Sequence, residues 1–320
     1  MDKFKSNFSK LLKDFLSIRA VSVGEATYKT DLRNLHVFDE YFYEKKEGKS
    51  LFDHDSIIEW QLSLQKERGI DSKIHTVRLF LQYYSTVLNE NVYVPNNKRH
   101  NHKFVPYIFS DEEFKKIIEF TDNYDKQKNF ENSMILRLLY GSGLRINETL
   151  SLKMENFLIE SGTLFLTDTK FKKERLVPMH SSLSSILESY CYRRNLIGKQ
   201  DAYIFQAENK TGHVTRESVY SVFKKALKYS GIQLESKRQF ERGPCFHSLR
   251  HVFTMKSCNK LEEQGLSIYD SIPYISFYLG HDSIFETEKY LNYGSEMFPL
   301  ELQKFESQSS SLYPEAKDDI

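Results

Sequence analysis

Four short stretches of this 320-residue chain carry side chains suited to one kind of chemistry. Gly143-Leu144-Arg145-Ile146-Asn147-Glu148 offers an arginine with a carboxylate one helical turn further on. Thr169-Lys170 puts a lysine at a strand turn. His247-Ser248-Leu249-Arg250-His251 sets a second arginine three residues after a histidine, and Leu279-Gly280-His281 is followed nine residues later by Tyr290. Two guanidinium forks can grip the non-bridging oxygens of a phosphoryl group bidentately and stay charged at any working pH. A tyrosine can form a covalent ester as nucleophile. A departing alkoxide needs a proton, a role that suits Lys170, and His247 and His281 can exchange protons near neutrality. The set describes phosphoryl transfer through a covalent enzyme intermediate, and the scheme requires no metal or other cofactor.

In this order the boxes resemble those of the tyrosine recombinases, a family of phage integrases and chromosome-dimer resolvases. There the first arginine sits in G-L-R-x-x-E and a lysine lies between two strands. An H-x-L-R box and an L-G-H box then precede the nucleophilic tyrosine. Any single box is a weak signal, whereas the ordered set is specific, and the resemblance runs along the whole chain. It implies a site-specific recombinase that cleaves and rejoins double-stranded DNA through a 3′-phosphotyrosine on Tyr290. It also implies that His247 helps deprotonate Tyr290, that His281 supports the phosphate, and that Glu148 orients an arginine. A tetramer in the synapse follows from the same resemblance, with the C-terminal tail exchanged between protomers. Accessory DNA-bending or directionality proteins are left open. Two departures are visible. The stretch between Arg250 and His281 is longer than usual, and the chain starts almost directly at the core-binding helices, without the arm-binding domain of many integrases.

Other readings stay open at this level. Arg145 and Glu148 have the spacing of an ordinary helical ion pair, and Lys170 lies in a basic run with Lys172, Lys173 and Arg175. Tyr293 is a second tyrosine one helical turn beyond Tyr290. His247 and His251, four apart, could bind zinc with His281 as third ligand, although no glutamate base lies between them. A catalytically silent DNA-binding regulator and a type IB topoisomerase-like relaxing enzyme are the functional alternatives.

The elements that must position these boxes are mainly helical. Residues 4–15 place Phe8, Leu11, Leu12 and Phe15 at helical spacing, and residues 28–43 do the same with Leu32, Leu35, Phe38, Tyr41 and Phe42. Stretches 55–66 and 72–88 complete a four-helix bundle, expected as a core-binding (SAM-like) domain over residues 1–92. Residues 93–103, YVPNNKRHNHK, lose apolar periodicity and mark a linker, taken as 93–106. A catalytic domain with its tail follows over 107–320. It opens on Ser110 with Glu113 three residues on, a capping box. Helices over 133–140 and 146–152 flank Gly141-Ser142-Gly143. An antiparallel hairpin is expected around Ser161-Gly162, and a third strand over 171–179 ends at Pro178. Helices resume from Ser182.

Charge is uneven. The chain carries 45 Lys plus Arg against 44 Asp plus Glu, yet residues 161–260 hold 18 basic and 8 acidic side chains, and residues 261–320 hold 3 and 12. Phosphate binding depends on local basic side chains, so the middle block is the relevant one. Expected DNA contacts are His75, Thr76 and Arg78 on the fourth helix, Lys98, Arg99 and Lys103 in the linker, and Lys172, Lys173 and Arg175 at the strand turn. The tail contains an amphipathic piece with Phe298, Leu300, Leu302 and Phe305. Three cysteines fit neither a disulfide set nor a C-x-x-C zinc pattern. The N-terminus lacks a secretory h-region, so the expected compartment is the cytoplasm; the resemblance implies a nucleoid-associated protein of prokaryotic or mobile-element origin.

Overall fold

A computed structural model describes residues 4–50, 52–64, 69–96, 106–124, 130–167, 174–208, 211–234 and 243–281. The chain separates into two compact units, Met1–His102 and Lys103–Ile320.

The first unit holds helices α1 (Ser9–Ser22), α2 (Glu25–Lys45), α3 (His54–Ser63) and α4 (Ile70–Leu88). Asp53 starts α3 by accepting the Ser56 N–H at 2.8 Å, an N-cap that satisfies an otherwise orphaned donor. The apolar stripes meet in an aromatic core. Phe8 lies edge-on to Phe52 at 4.9 Å, and Phe38 lies edge-on to Trp60 at 5.1 Å. Such ring pairs favour edge contacts because the ring face is negative and the rim positive. A buried polar seam ties three helices together. Asp31 accepts from Arg19 and from Thr76, both at 2.9 Å, and Asn34 donates to Thr76 at 3.0 Å. Thr76 is therefore buried and bonded inward, which rules out the groove contact expected of it. His75, its neighbour, is exposed and Arg78 is half-buried. Val92, Tyr93 and Val94 pack against this core, and the Tyr93 N–H donates to Phe52 O at 2.8 Å.

The second unit begins with α5 (Asp111–Tyr124) and α6 (Glu131–Ser142), followed by the short α7 (Ile146–Leu150). The capping box forms as its spacing predicts: Ser110 N–H donates to Glu113 at 2.9 Å, and Glu113 N–H to Ser110 Oγ at 3.1 Å. Strands β1 (Phe157–Leu158), β2 (Thr163–Leu166) and β3 (Arg175–Pro178) make one antiparallel sheet in the order β1-β2-β3. Leu164 faces Val177 and Leu166 faces Arg175 in its register. Helices α8 (Ser181–Arg193), α9 (Arg216–Tyr229), α10 (Phe246–Glu263) and α11 (Ile268–Leu279) complete the described part. One core joins α5 to α10 and the sheet, with Leu136, Leu139, Leu164, Val177, Phe205, Phe223, Leu249 and Val252 all inaccessible to solvent, and α11 packs on α10 through a second cluster of Cys258, Ile268, Ile275 and Leu279. Mainly α with a small antiparallel sheet is thus the observed fold. The other helices lie within a few residues of their expected spans, but the first, expected over 4–15, forms as Ser9–Ser22; Gly141 lies inside α6, and the break falls at Gly143, whose φ is +63°. No described helix is long and apolar enough to cross a membrane.

Candidate active site

The two glycine-containing boxes use one device. Gly143 closes α6 and Gly280 closes α11, at φ +63° and +65°, a left-handed conformation that costs glycine nothing. At the end of α11 the Gly280 N–H donates to Phe277 O at 3.1 Å and the His281 N–H to Ser276 O at 3.0 Å, the paired bonds of a Schellman closure. Helix C-termini leave carbonyls unpaired and carry partial negative charge. Arg250, reaching from the first turns of α10, answers both ends. Its Nη1 donates to Gly143 O at 2.6 Å and its Nη2 to Leu279 O at 2.7 Å. The residue is only 1% exposed, so its guanidinium is held rigidly from two sides.

Arg145 comes to the same place from the other direction. It immediately precedes α7, and its Nη2 lies 3.5 Å from Gly280 O. Its Nη1 donates to Glu148 Oε1 at 2.8 Å, while its own backbone N–H donates to Glu148 Oε2 at 2.9 Å. Glu148 therefore bonds both the start of α7 and the arginine head. Burial pushes the Glu148 carboxyl up, but Arg175 and Arg145 outweigh burial and hold it below the usual carboxylate range.

Arg175 departs from expectation. The basic run predicts a DNA contact for it, yet its side chain is 5% exposed and bonded inward. Its Nη2 donates to Glu148 Oε2 at 2.8 Å and its Nε to Tyr278 O at 3.1 Å. The signal was in the strand phase. Side chains alternate across a sheet, and Val177, a core residue, fixes Arg175 on the same inward face, leaving Leu176 56% exposed. Reading the run as a basic turn overlooked that alternation.

His281 follows Gly280 into this cluster of positive charge. Burial comes first, then Arg250, Arg145, His247 and Arg175, in lowering its pKa to about 3. Without a bound anion its imidazole is therefore held neutral near pH 7. His247 is exposed on the first turn of α10, its ring 4.5 Å from and perpendicular to that of buried His251. Lys256, two turns beyond, ion-pairs with Asp111, which also accepts from Tyr140 at 2.6 Å, and so braces α10 against α5 and α6. The structure thus gathers Arg145, Glu148, Arg250 and His281 around one turn, Leu279-Gly280-His281, and adds Arg175. Among the described residues no group of three His, Cys, Asp or Glu side chains could hold a metal ion. Lys170, Tyr290, Tyr293, Lys98, Arg99, Lys103, Lys172, Lys173 and the tail residues Phe298 to Phe305 lie outside the described residues.

A helical catalytic domain with paired arginines anchored on helix ends defines the class of the tyrosine site-specific recombinases. Residues 108–296 match the model of the phage integrase family, and the chain belongs to that family. Among curated relatives it is 27% identical over 302 residues to tyrosine recombinase XerD of Rickettsia bellii, a match spanning 88% of this chain and 92% of that protein. Among solved structures it resembles the XerH recombinase bound to palindromic difH substrate in a post-cleavage complex, with TM-score 0.65 and 21% identity over 93% of this chain and 83% of that one. A lambda integrase tetramer bound to a Holliday junction gives TM-score 0.63 and 14% identity, covering 88% and 76%. These two likenesses establish the shared fold. The protein is a tyrosine site-specific recombinase.

Proposed function

We propose that this recombinase cuts and rejoins duplex DNA at specific sites through a covalent 3′-phosphotyrosine on Tyr290, with no metal or high-energy cofactor. The observation that carries this reading is the pair of arginine heads, Arg145 and Arg250, both bonded to the Leu279-Gly280 turn. A phosphodiester carries one negative charge and gains charge on its non-bridging oxygens as it becomes five-coordinate. Fixed guanidinium groups stabilise that state without having to reorganise. The phenol oxygen of Tyr290 attacks phosphorus and its proton passes to His247. The 5′ oxygen leaves and takes a proton from Lys170. The ester conserves the bond energy, so the 5′ hydroxyl of another strand can reverse the step. Neutral His281 donates its ring N–H to a phosphate oxygen.

DNA-bound dimers, tetramers and post-cleavage complexes among the structures of the same fold support DNA as the partner here and a tetramer as the working assembly; exchange of the C-terminal tail between protomers is proposed from the family resemblance alone. Lys98, Arg99, Lys103, Lys172 and Lys173 are proposed phosphate contacts, with His75 and Arg78 facing the groove. The chain is proposed to act in the cytoplasm on nucleoid DNA.

Function is tested on a supercoiled plasmid carrying two copies of a site selected from random duplexes by the protein itself, in EDTA and without nucleotide. Exchange of the flanking segments supports the proposal. Relaxation without exchange would make it a topoisomerase-like enzyme, and binding with neither would make it a regulator.

A further inference from the structure

We infer that Arg175 is a positioning residue for strand cleavage, acting through Glu148 on Arg145 and through the Tyr278 carbonyl on the turn that carries His281. The inference rests on the phosphotyrosine reading of the same site and extends it to a buried residue bonded inward.

Arg175 is the first residue of β3 and, in sequence, closes the 167–174 connection that contains Lys170. All three of its guanidinium nitrogens are engaged. Nη1 and Nη2 donate to Glu148 Oε1 and Oε2 at 3.3 and 2.8 Å, and Nε donates to Tyr278 O at 3.1 Å. The Glu148 carboxylate is thus shared, one fork from Arg175 and one pair of donors from Arg145. Planar fork-on-carboxylate geometry fixes direction as well as distance. The turn lies equally close, since a Cβ added to Gly280 would sit 2.8 Å from Arg175 Nη1. Arg175 therefore touches the supports of both phosphate-binding arginines: Glu148 under Arg145, and the Tyr278–Gly280 backbone next to the Leu279 carbonyl that anchors Arg250.

Stability alone gives a weak reason for this arrangement. A buried ion pair loses much of its Coulomb gain to desolvation, and apolar residues of similar volume are often as stable. What an apolar residue lacks is the power to aim a carboxylate. Lysine lacks it too, because a point charge cannot reproduce three directed bonds.

The test uses the full chain with Arg175→Lys and Arg175→Gln, and Arg145→Ala as reference. The substrate is a nicked duplex of the selected site, whose cleaved phosphate is first mapped with the wild type. It is made either as the natural phosphodiester or as a methylphosphonate, which lacks one charged oxygen and so asks less of Arg145. A misplacement of about 1 Å costs on the order of 100-fold in rate. Arg175→Lys should therefore form the covalent adduct about 100-fold more slowly on phosphodiester, with DNA affinity within about twofold of wild type. Its deficit should shrink on methylphosphonate together with that of Arg145→Ala. Cleavage at the wild-type rate would overturn the inference. So would a deficit that stays constant while that of Arg145→Ala shrinks, or loss of DNA binding along with cleavage in both Arg175 variants, which would assign Arg175 to folding alone. If the wild type itself forms no adduct, the phosphotyrosine reading fails. If the wild type and Arg175→Lys react alike, only this inference does.

Discussion

Glu148 and Arg145 are joined twice within one helical turn, side chain to side chain at 2.8 Å and carboxylate to backbone N–H at 2.9 Å. The carboxylate that caps α7 is therefore the one that aims the arginine. The start of the helix and the direction of the Arg145 guanidinium thus rest on one carboxylate. The helix-end carbonyls of Gly143 and Leu279 do the same for Arg250.

Replacing Glu148 by glutamine keeps the shape and removes the charge. Two guanidinium groups then share a site without their anion, Arg175 being 5% and Arg145 24% exposed at the side chain. Breaking a buried pair by removing one partner costs about 3–5 kcal/mol. Because Arg145 is partly open to water, the lower end is expected. Urea unfolding of Glu148→Gln should show a lower midpoint at unchanged slope, with slower strand cleavage. Equal midpoints would mean that the pair contributes nothing net.

Gly280→Ala meets two obstacles at once. A side chain in the left-handed region costs roughly 1–2 kcal/mol, and the new Cβ would press on Arg175 Nη1 at 2.8 Å. Gly198, at φ +83°, has no atom within 4 Å of an added Cβ. Gly198→Ala should therefore lower thermal stability without altering the cleavage rate of the folded protein. Gly280→Ala should lower both, the rate by at least about tenfold if the turn moves by a fraction of an ångström. Parallel melting and single-turnover cleavage of the two variants check this.

His281 has a folded-state pKa depressed from 6.5 to about 3, by burial first and then by Arg250, Arg145, His247 and Arg175. Its neutral form contributes stability that is present above pH 6.5 and is lost as pH falls from 6.5 towards 3, because the unfolded chain takes up the proton first. His281→Gln should flatten that part of the stability curve. Any titration of the cleavage rate between pH 6.5 and 8 should survive in that variant, since it belongs to another group. A His281 ring resonance titrating near 6.5 in the free protein would contradict the account.

Much of this was legible in the residues themselves. The capping box at Ser110, the helices around the bundle's phenylalanines and the order of the boxes all follow from local rules, because caps and periodic stripes depend on neighbours in sequence. Arg175 and Thr76 were misread for one reason. A polar side chain's direction depends on which face its element buries, and the partners that satisfy them, Glu148 and Asp31, are 27 and 45 residues away. The neutrality of His281 is equally hidden in sequence, since it comes from burial first and then from arginines that meet only in the fold. Gly143 stands out as a breaker, but the partner of its carbonyl, Arg250, lies 107 residues away, and the partner of the Gly280 carbonyl, Arg145, lies 135 away.

The central claim is the tyrosine nucleophile. It is tested most directly by incubating wild type, Tyr290→Phe and Tyr293→Phe with nicked duplexes of the selected site in EDTA, and resolving protein–DNA adducts under denaturing conditions. The account predicts an adduct with wild type and Tyr293→Phe and none with Tyr290→Phe, which should still bind the duplex. An adduct that persists in Tyr290→Phe would contradict it, as would site-specific binding by wild type with no adduct.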